Sequence, residues 1–177
     1  MPSKTDKEIL ELFGQPGCRA QAFQCLVEKY QKSVYWIIRR ILINHEDTND
    51  VMQNTFIKIW QKIPQFRNES GLYAWIYRIA VNQCYNFIRH KNRNYALNTE
   101  DSEQSLNNLH EDPWFDGNNA QILLQQAIAK LPHQQRIIFN MRYFENFSFQ
   151  NIGEILEIKP STVRTSYSIA VKKIKKN

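Results

Sequence analysis

One face of the helix predicted over residues 72–89 carries side chains that suit nucleic acid. The opposite face is an apolar stripe with three- and four-residue steps, which is typical of an amphipathic helix packed on a core. Rings can stack on bases, amides can hydrogen-bond base edges, and guanidinium groups can bind phosphates. The face has no acidic residue, which is unusual for a solvated helix face and indicates a partner such as partly unpaired nucleic acid. The alternative is a helix that merely packs its rings on a neighbouring element. Its members are Tyr77, Arg78, Val81, Asn82, Tyr85, Asn86 and Arg89.

Residues 144–174 predict a second nucleic-acid surface, a pair of short helices joined by about four residues. Ser148 is the expected N-cap of the first helix, which runs to Leu156, and Pro160 falls in the first turn of the second, where Pro is tolerated. The start of the second helix has small hydrogen-bond donors and an arginine, which suit contacts to bases in the major groove. The lysines at its end suit phosphate contacts and the helix dipole, although a solvated lysine tail is the alternative. These residues are Ser161, Thr162, Arg164, Thr165, Lys172, Lys173, Lys175 and Lys176.

The charge distribution separates two basic blocks by an acidic one. The 177 residues have a net charge of +6. Residues 1–90 hold 12 Lys and Arg against 8 Asp and Glu, and residues 131–177 hold 8 against 3, whereas residues 91–130 hold 3 against 6. The basic blocks are mild support for a polyanionic partner. Residues 92–119 are rich in Asn, Glu, Asp and Ser without an apolar period, which predicts a flexible linker.

The remaining patterns predict an all-α chain of two small helical domains, residues 1–91 and 120–177, joined by that acidic linker. No strand pattern of useful length is present. The chain has no apolar run of about 18 residues and no signal peptide, so we expect a cytoplasmic protein without membrane insertion. The further predicted helices span residues 23–41, 47–60, 120–131 and 133–143.

Few residues offer enzymatic or metal chemistry. Three cysteines, Cys18, Cys25 and Cys84, lack the spacing of a metal site, and four histidines are scattered. The sequence has no phosphate loop, no nucleophile elbow and no convincing carboxylate pair. We therefore expect no metal, no cofactor and no enzyme activity.

Four segments in order resemble the bacterial RNA polymerase sigma factors of the extracytoplasmic-function class, in the sigma-70 family. The resemblance covers roughly residues 20–90 and 120–175. The segments resemble the family's opening helix, polymerase-binding helix, promoter-melting segment and C-terminal helix-turn-helix. They are residues 22–30, residues 47–60 (DTNDVMQNTFIKIW), residues 66–82 (with FR and WIYRIAVN) and residues 131–170 (beginning LP).

The resemblance implies that the helix over residues 47–60 docks on the clamp helices of the polymerase large subunit. Its acids and amides suit a basic, amide-rich partner, although acids at a helix start also favour the helix dipole without any partner. Asn54 stands where the family usually has Glu, which weakens the match slightly. The residues assigned to this contact are Asp47, Asp50, Gln53 and Lys58.

The resemblance also implies that the loop over residues 66–71 captures one flipped base of the minus-ten element on the non-template strand. Extruding a base costs a few kcal/mol, which its capture offsets, so no ATP is needed. A plain surface turn is the alternative for this loop. The residues assigned to minus-ten DNA are Phe66, Arg67, Asn68, Ser70, Trp75, Tyr77, Arg78, Asn82 and Arg89.

The C-terminal helix pair is expected, by the same resemblance, to read the minus-thirty-five element as duplex. Glu157 replaces the usual turn Gly, which costs roughly 1 kcal/mol if that residue needs a positive φ. Ser166 and Ile169 stand where basic residues are frequent. The assigned contacts are Ser148, Ser161, Thr162, Arg164, Thr165, Ser168 and Lys172.

The partners implied by the resemblance are core RNA polymerase, promoter DNA and an inhibitory anti-sigma protein. The competing interpretation is a self-sufficient helix-turn-helix regulator in which residues 1–90 form a sensor or dimerisation domain. That interpretation leaves the helix over residues 47–60 and the polar face of residues 72–89 without a role.

Overall fold

The computed structural model describes residues 3–91, 106, 108–112, 114–115 and 117–177. These residues contain no β-strand, which agrees with the all-α prediction. Short 3-10 helices span Ile63–Gln65 and Asn108–Glu111. The α-helices are α1 (Asp6–Phe13), α2 (Arg19–Leu42), α3 (His45–Lys62), α4 (Leu72–His90), α5 (Asn119–Ala129), α6 (His133–Tyr143), α7 (Phe149–Leu156) and α8 (Pro160–Lys175).

The chain divides into two compact units. The first comprises Met1–Ile38 and Glu46–Phe87. The second comprises Arg39–His45 and Ile88–Asn177, so the last turn of α2 belongs with the C-terminal helices.

The core of the first unit is built from the apolar stripes of α2, α3 and α4. Leu26 and Val34 on α2 and Ile76 on α4 are fully buried. On α3 the buried row includes Thr55, whose hydroxyl donates to the carbonyl oxygen of Val51 at 2.7 Å. The hydroxyl is thus satisfied within its own helix, and a polar residue is tolerated in an apolar row.

Helix α1 lies in a segment where the sequence patterns predicted nothing. Thr5 and Glu8 form a capping box: Glu8 N–H donates to Thr5 Oγ1 at 3.3 Å, and Thr5 N–H donates to Glu8 Oε2 at 2.7 Å. Asp6 attaches this helix to α2, because its Oδ1 accepts from Lys29 Nζ at 2.7 Å and from the Tyr30 hydroxyl at 2.5 Å. The Thr-x-x-Glu spacing was the available signal for the start of α1.

In the second unit, α6 and α8 pack around a small apolar cluster. Its buried members are Ile128, Leu131, Phe139 and Ala170. Ring stacking of Phe139 on Tyr167, with centroids 5.8 Å apart, joins the two helices. The predicted helix over residues 120–131 corresponds to α5, displaced by one or two residues, and the one predicted over residues 133–143 is α6 with the same bounds.

Arg136 is buried in the second unit, where its guanidinium satisfies backbone carbonyls. It is 2% exposed, and its Nη2 donates to the carbonyl oxygens of Ala129 and Leu131 at 2.7 and 3.0 Å. Its Nη1 donates to the carbonyl oxygen of Ile41 at 2.7 Å. The carbonyls of Ala129 and Leu131 lie at and just after the C-terminal end of α5, where a helix otherwise leaves carbonyls unpaired.

The C-terminal part of the predicted linker is more ordered than its composition indicates. Leu106 and Leu109 are 4% and 1% exposed, although the composition of residues 92–119 predicts a flexible linker. Asp112 Oδ2 lies 3.6 Å from Arg39 Nε, and both side chains are 4% exposed. Residues 92–105 of the predicted linker lie outside the described residues.

Candidate functional site

A solvent-facing row of α3 carries two of the four residues that the sequence analysis assigned to docking. Asp50 and Gln53 are exposed, and Asn54 lies beside them. Ile57, one turn beyond Gln53, is 55% exposed although it is a large aliphatic residue. The sequence analysis did not select Ile57, but its spacing of seven from Asp50 and four from Gln53 places it on the same row.

Two other residues assigned to docking differ from the expectation. Asp47 is 7% exposed and interacts with other groups of the chain, so its assignment as a docking residue is wrong. The reason is that Asp47 lies four residues before Val51 and eight before Thr55, on the buried row of α3. Lys58 is half-buried.

The C-terminal end of α3 is held against the start of α2. Arg19 Nη2 donates to the carbonyl oxygen of Trp60 at 2.7 Å, and its Cζ lies 4.1 Å from the Trp60 ring centroid. The Phe23 ring contacts Trp60 edge-on, with centroids 5.0 Å apart. The exposed row therefore stands on a helix whose end is fixed by a hydrogen bond, a cation–π contact and ring packing.

The loop between α3 and α4 is the candidate base pocket. Arg67, Asn68, Glu69 and Ser70 are all exposed. Asn68 and Gly71 have φ values of 55° and 84°. Asn is among the residues that tolerate the left-handed region, so the two positions shape a tight loop with its polar groups outward.

Phe66 and Trp75 join this loop to α4. Their ring centroids lie 5.1 Å apart, and both side chains are half-buried. The Trp75 N–H donates to the carbonyl oxygen of Gly71 at 3.2 Å. The pair thus brings the two ends of the loop together, which holds the polar loop beside the first turn of α4.

The exposed face of α4 is narrower than the sequence indicated. Tyr77 and Val81 are 1% and 0% exposed, so the expectation that the Tyr77 ring meets DNA is wrong. Tyr77 instead packs edge-on against Tyr73, with centroids 6.2 Å apart. The polar surface that remains on α4 is one row of four residues, which are four, four and three positions apart along the chain. Its members are Arg78, Asn82, Asn86 and Arg89, all exposed.

The helix-turn-helix of the second unit forms as predicted. The Ser148 hydroxyl accepts from the Asn151 N–H at 3.0 Å and caps α7. Glu157 ends α7 in the left-handed region, with φ 58° and ψ 41°. Pro160 is in the first turn of α8, and Lys159 at its N-cap makes no side-chain cap.

The residues assigned to duplex DNA lie along α8 and at the start of α7. Thr165 Oγ1 donates to the carbonyl oxygen of Ser161 at 3.0 Å, which occupies its proton but leaves its lone pairs available. The residues assigned to minus-ten DNA lie in the first unit, except Arg89, which falls in the second, and those assigned to minus-thirty-five DNA all lie in the second unit. The exposed members of the latter set are Ser148, Ser161, Thr162, Arg164, Thr165, Ser168 and Lys172.

Metal binding and membrane crossing find no support in the part of the chain that the structure describes. In those residues no cluster of three His, Cys, Asp or Glu side chains could hold a metal ion. Their helices likewise include none with the length and apolar character that a bilayer crossing requires.

Comparison with known proteins identifies both units. Residues 26–94 match the family model for sigma-70 region 2, and residues 121–174 match that for sigma-70 region 4. The ECF RNA polymerase sigma-E factor of Haemophilus influenzae is 31% identical over 91% of this chain and 88% of its own length. The ECF RNA polymerase sigma factor SigW of Bacillus subtilis is 31% identical over 81% of this chain and 82% of its own.

The fold agrees with that result. The solved structure of the sigma factor RpoE from Bartonella quintana, in complex with the anti-sigma factor NepR, superposes with a TM-score of 0.67 at 18% identity. The match covers 87% of this chain and 94% of that one. The chain belongs to the sigma-70 family, among the extracytoplasmic-function (ECF) RNA polymerase sigma factors.

Proposed function

We propose that this protein is a transcription initiation factor that binds core RNA polymerase and directs it to specific promoters. The exposed row of α3 docks on the polymerase, with Asp50 and Gln53 as polar contacts and Ile57 as an apolar one. Exposed amides and acids around an aliphatic residue suit a partner surface that is basic and amide-rich. The protein acts in the cytoplasm, where bacterial transcription takes place.

One observation supports the promoter-melting part most strongly. The exposed polar loop of residues 67–70 comes directly before α4, which carries the exposed row that begins at Arg78, and the Phe66–Trp75 contact fixes the loop at the start of that helix. A base that leaves the duplex meets amide and hydroxyl groups in the loop, while the arginines of the row hold the phosphates beside it. Binding free energy opens the duplex, so the proposal requires neither a cofactor nor a catalytic residue.

The helix-turn-helix reads the minus-thirty-five element as duplex DNA. Arg164 is exposed near the start of α8, where an arginine can donate two hydrogen bonds to a guanine in the major groove. Ser148 and Lys172 contact the phosphate backbone on either side. An inhibitory anti-sigma protein is a further proposed partner, because the fold is similar to that of RpoE, which was solved in complex with the anti-sigma factor NepR.

The melting step is tested by replacing Asn82 with Ala and following open-complex formation on two templates, an intact promoter and the same promoter premelted at the minus-ten element. We expect the substitution to slow opening of the intact template more than it weakens binding to the premelted one. Gln21→Ala, which removes an exposed amide on α2, is the control and changes neither. An equal response of both templates to Asn82→Ala would show that Asn82 has no special part in melting.

A further inference from the structure

The Phe149 ring, at the start of α7, has two guanidinium groups close to it. Arg142 Cζ, from α6, is 5.1 Å from the ring centroid, and Arg164 Cζ, from α8, is 5.5 Å from it. Both distances fall within the range of about 6 Å in which a cation is attracted to the face of an aromatic ring. The three helices of the module therefore meet at one aromatic side chain, and one of the three residues is the arginine assigned to base readout.

The ring and Arg142 are both fixed by further contacts. Phe149 packs on Tyr167, with centroids 5.8 Å apart, and Tyr167 stacks in turn on the buried Phe139. Arg142 Nη1 donates to the carbonyl oxygen of Phe147 at 3.2 Å. Because α7 is also capped by the residue that precedes Phe149, the ring is a rigid support rather than a mobile surface group.

Arg164 differs from Arg142 because its side chain is exposed on the surface that faces DNA in the proposed function. A guanidinium group that stacks on a ring uses its planar face, whereas its N–H donors lie in the plane and point outward from the edge. Arg164 Cζ is 5.5 Å from the Phe149 centroid, and a guanidinium that turns its face to the ring keeps its N–H edge available for the O6 and N7 atoms of a guanine. Contact with the ring also restricts the Arg164 side chain before DNA binds, so less conformational entropy is lost on binding.

We infer that Phe149 is a positioning residue for Arg164, so that the base preference at the pair read by Arg164 depends on a ring that itself touches no base. The inference rests on the proposed function, since it requires duplex readout by α8. It goes beyond that function because it assigns specificity to α7, the helix that precedes the recognition helix.

The test measures holoenzyme affinity for a minus-thirty-five duplex and for its single-base-pair variants, with promoter sequences taken from run-off transcription of genomic fragments. Phe149→Leu keeps an apolar side chain but removes the aromatic face. We expect discrimination at one base pair to fall by about two- to fivefold, with discrimination at other pairs unchanged. Phe149→Tyr retains the ring and retains discrimination. Tyr143→Leu, an aromatic change on α6 at a ring that stacks on Phe139, is the matched control.

The double variant separates positioning from a general structural effect. In an Arg164→Ala background, Phe149→Leu is expected to change discrimination no further, because the group that it positions is gone. Uniform weakening of all duplexes by Phe149→Leu, or an equal effect in both backgrounds, overturns the inference. Phe149→Met, measured in parallel with circular dichroism, keeps the test valid if the leucine variant is unfolded.

Failure of the inference and failure of the proposed function give different results. If the wild-type holoenzyme shows no base-pair preference anywhere in the duplex, the proposed readout by α8 is wrong. If Arg164→Ala relaxes preference at one pair while Phe149→Leu does not, only the positioning role is wrong.

Discussion

Gly153 and Ile158 are in direct backbone contact across the turn of the helix-turn-helix. The Ile158 N–H donates to the carbonyl oxygen of Gly153 at 2.9 Å. A Cβ atom on Gly153 would lie 2.6 Å from the carbonyl oxygen of Ile158 and 3.4 Å from the nitrogen of Pro160. The turn into α8 therefore passes over α7 at a distance that a residue with a side chain does not permit.

Gly153→Ala is expected to destabilise the protein in spite of the higher helix propensity of Ala. Relief of the clash requires a backbone shift, and overpacking of this kind costs about 1–3 kcal/mol. Urea unfolding followed by circular dichroism measures the change. Gly14→Ala is the control, because its added Cβ would meet only ordinary contacts of 3.4 Å or more. Equal free energies of unfolding for the two variants would contradict the close approach.

Glu157→Gly is expected to stabilise the protein by up to about 1 kcal/mol. Glu157 has a φ of 58°, a conformation that Gly adopts without the steric cost of a Cβ. Denaturant unfolding of the variant and the wild type gives the difference. Glu154→Gly, three residues earlier and within α7, should instead lower stability by about 1 kcal/mol. A loss of stability in Glu157→Gly would mean that contacts of the Glu157 side chain outweigh the backbone strain.

The Asp6 carboxylate should make stability depend on pH. Partial burial raises its pKa, but the hydrogen bonds from Lys29 and Tyr30 and the Lys29 charge outweigh that effect, so the pKa lies below its ordinary value of 3.8. A carboxyl group with a lowered folded-state pKa stabilises the fold above its unfolded pKa, and this stabilisation is lost as the pH falls through the folded value.

The contribution of Asp6 is measured as the difference in the free energy of unfolding between wild type and Asp6→Asn. We expect a difference below about 1 kcal/mol at pH 7, because the side chain is 39% exposed. This difference should disappear as the pH falls below about 4. Glu11→Gln, in the exposed pair with Lys7 on the same helix, should show almost no difference at either pH. A difference for Asp6→Asn that grows as the pH falls would refute the predicted direction.

The exposed row of α3 gives a prediction for polymerase binding. Ile57→Ala and Gln53→Ala should each weaken binding to core RNA polymerase by about 1–2 kcal/mol, and Asp50→Arg should weaken it at least as much by reversing a charge. Fluorescence titration of labelled protein with core enzyme measures the affinity. Glu28→Arg makes the same charge change on an exposed position of α2 and should leave the affinity unchanged. Unaltered affinity in the three α3 variants would exclude this face as the docking surface.

The helix-turn-helix was predictable because its boundaries are set by local chemistry. Ser148 caps α7 and Pro160 occupies the first turn of α8, each at the position that the sequence indicated. Such signals depend on a few adjacent residues and do not require knowledge of the tertiary fold.

The buried face of α4 was less predictable, because periodicity locates the centre of an apolar stripe but not its width. Tyr77 and Val81 lie at its margin, and their burial depends on what packs against α4. Asp47 was assigned to the wrong side although its four-residue spacing from Val51 and Thr55 places it on the buried row of α3. The Phe149 contacts join three separate helices, and no sequence pattern indicates them.

The proposed function is tested most directly by run-off transcription with core RNA polymerase from the same source, with and without this protein, on genomic promoter fragments. We predict specific initiation that depends on the added protein and defines a shared pair of upstream elements. Absence of stimulation, together with no binding to core enzyme and retained binding to duplex DNA, would contradict the proposal and favour a self-sufficient helix-turn-helix regulator.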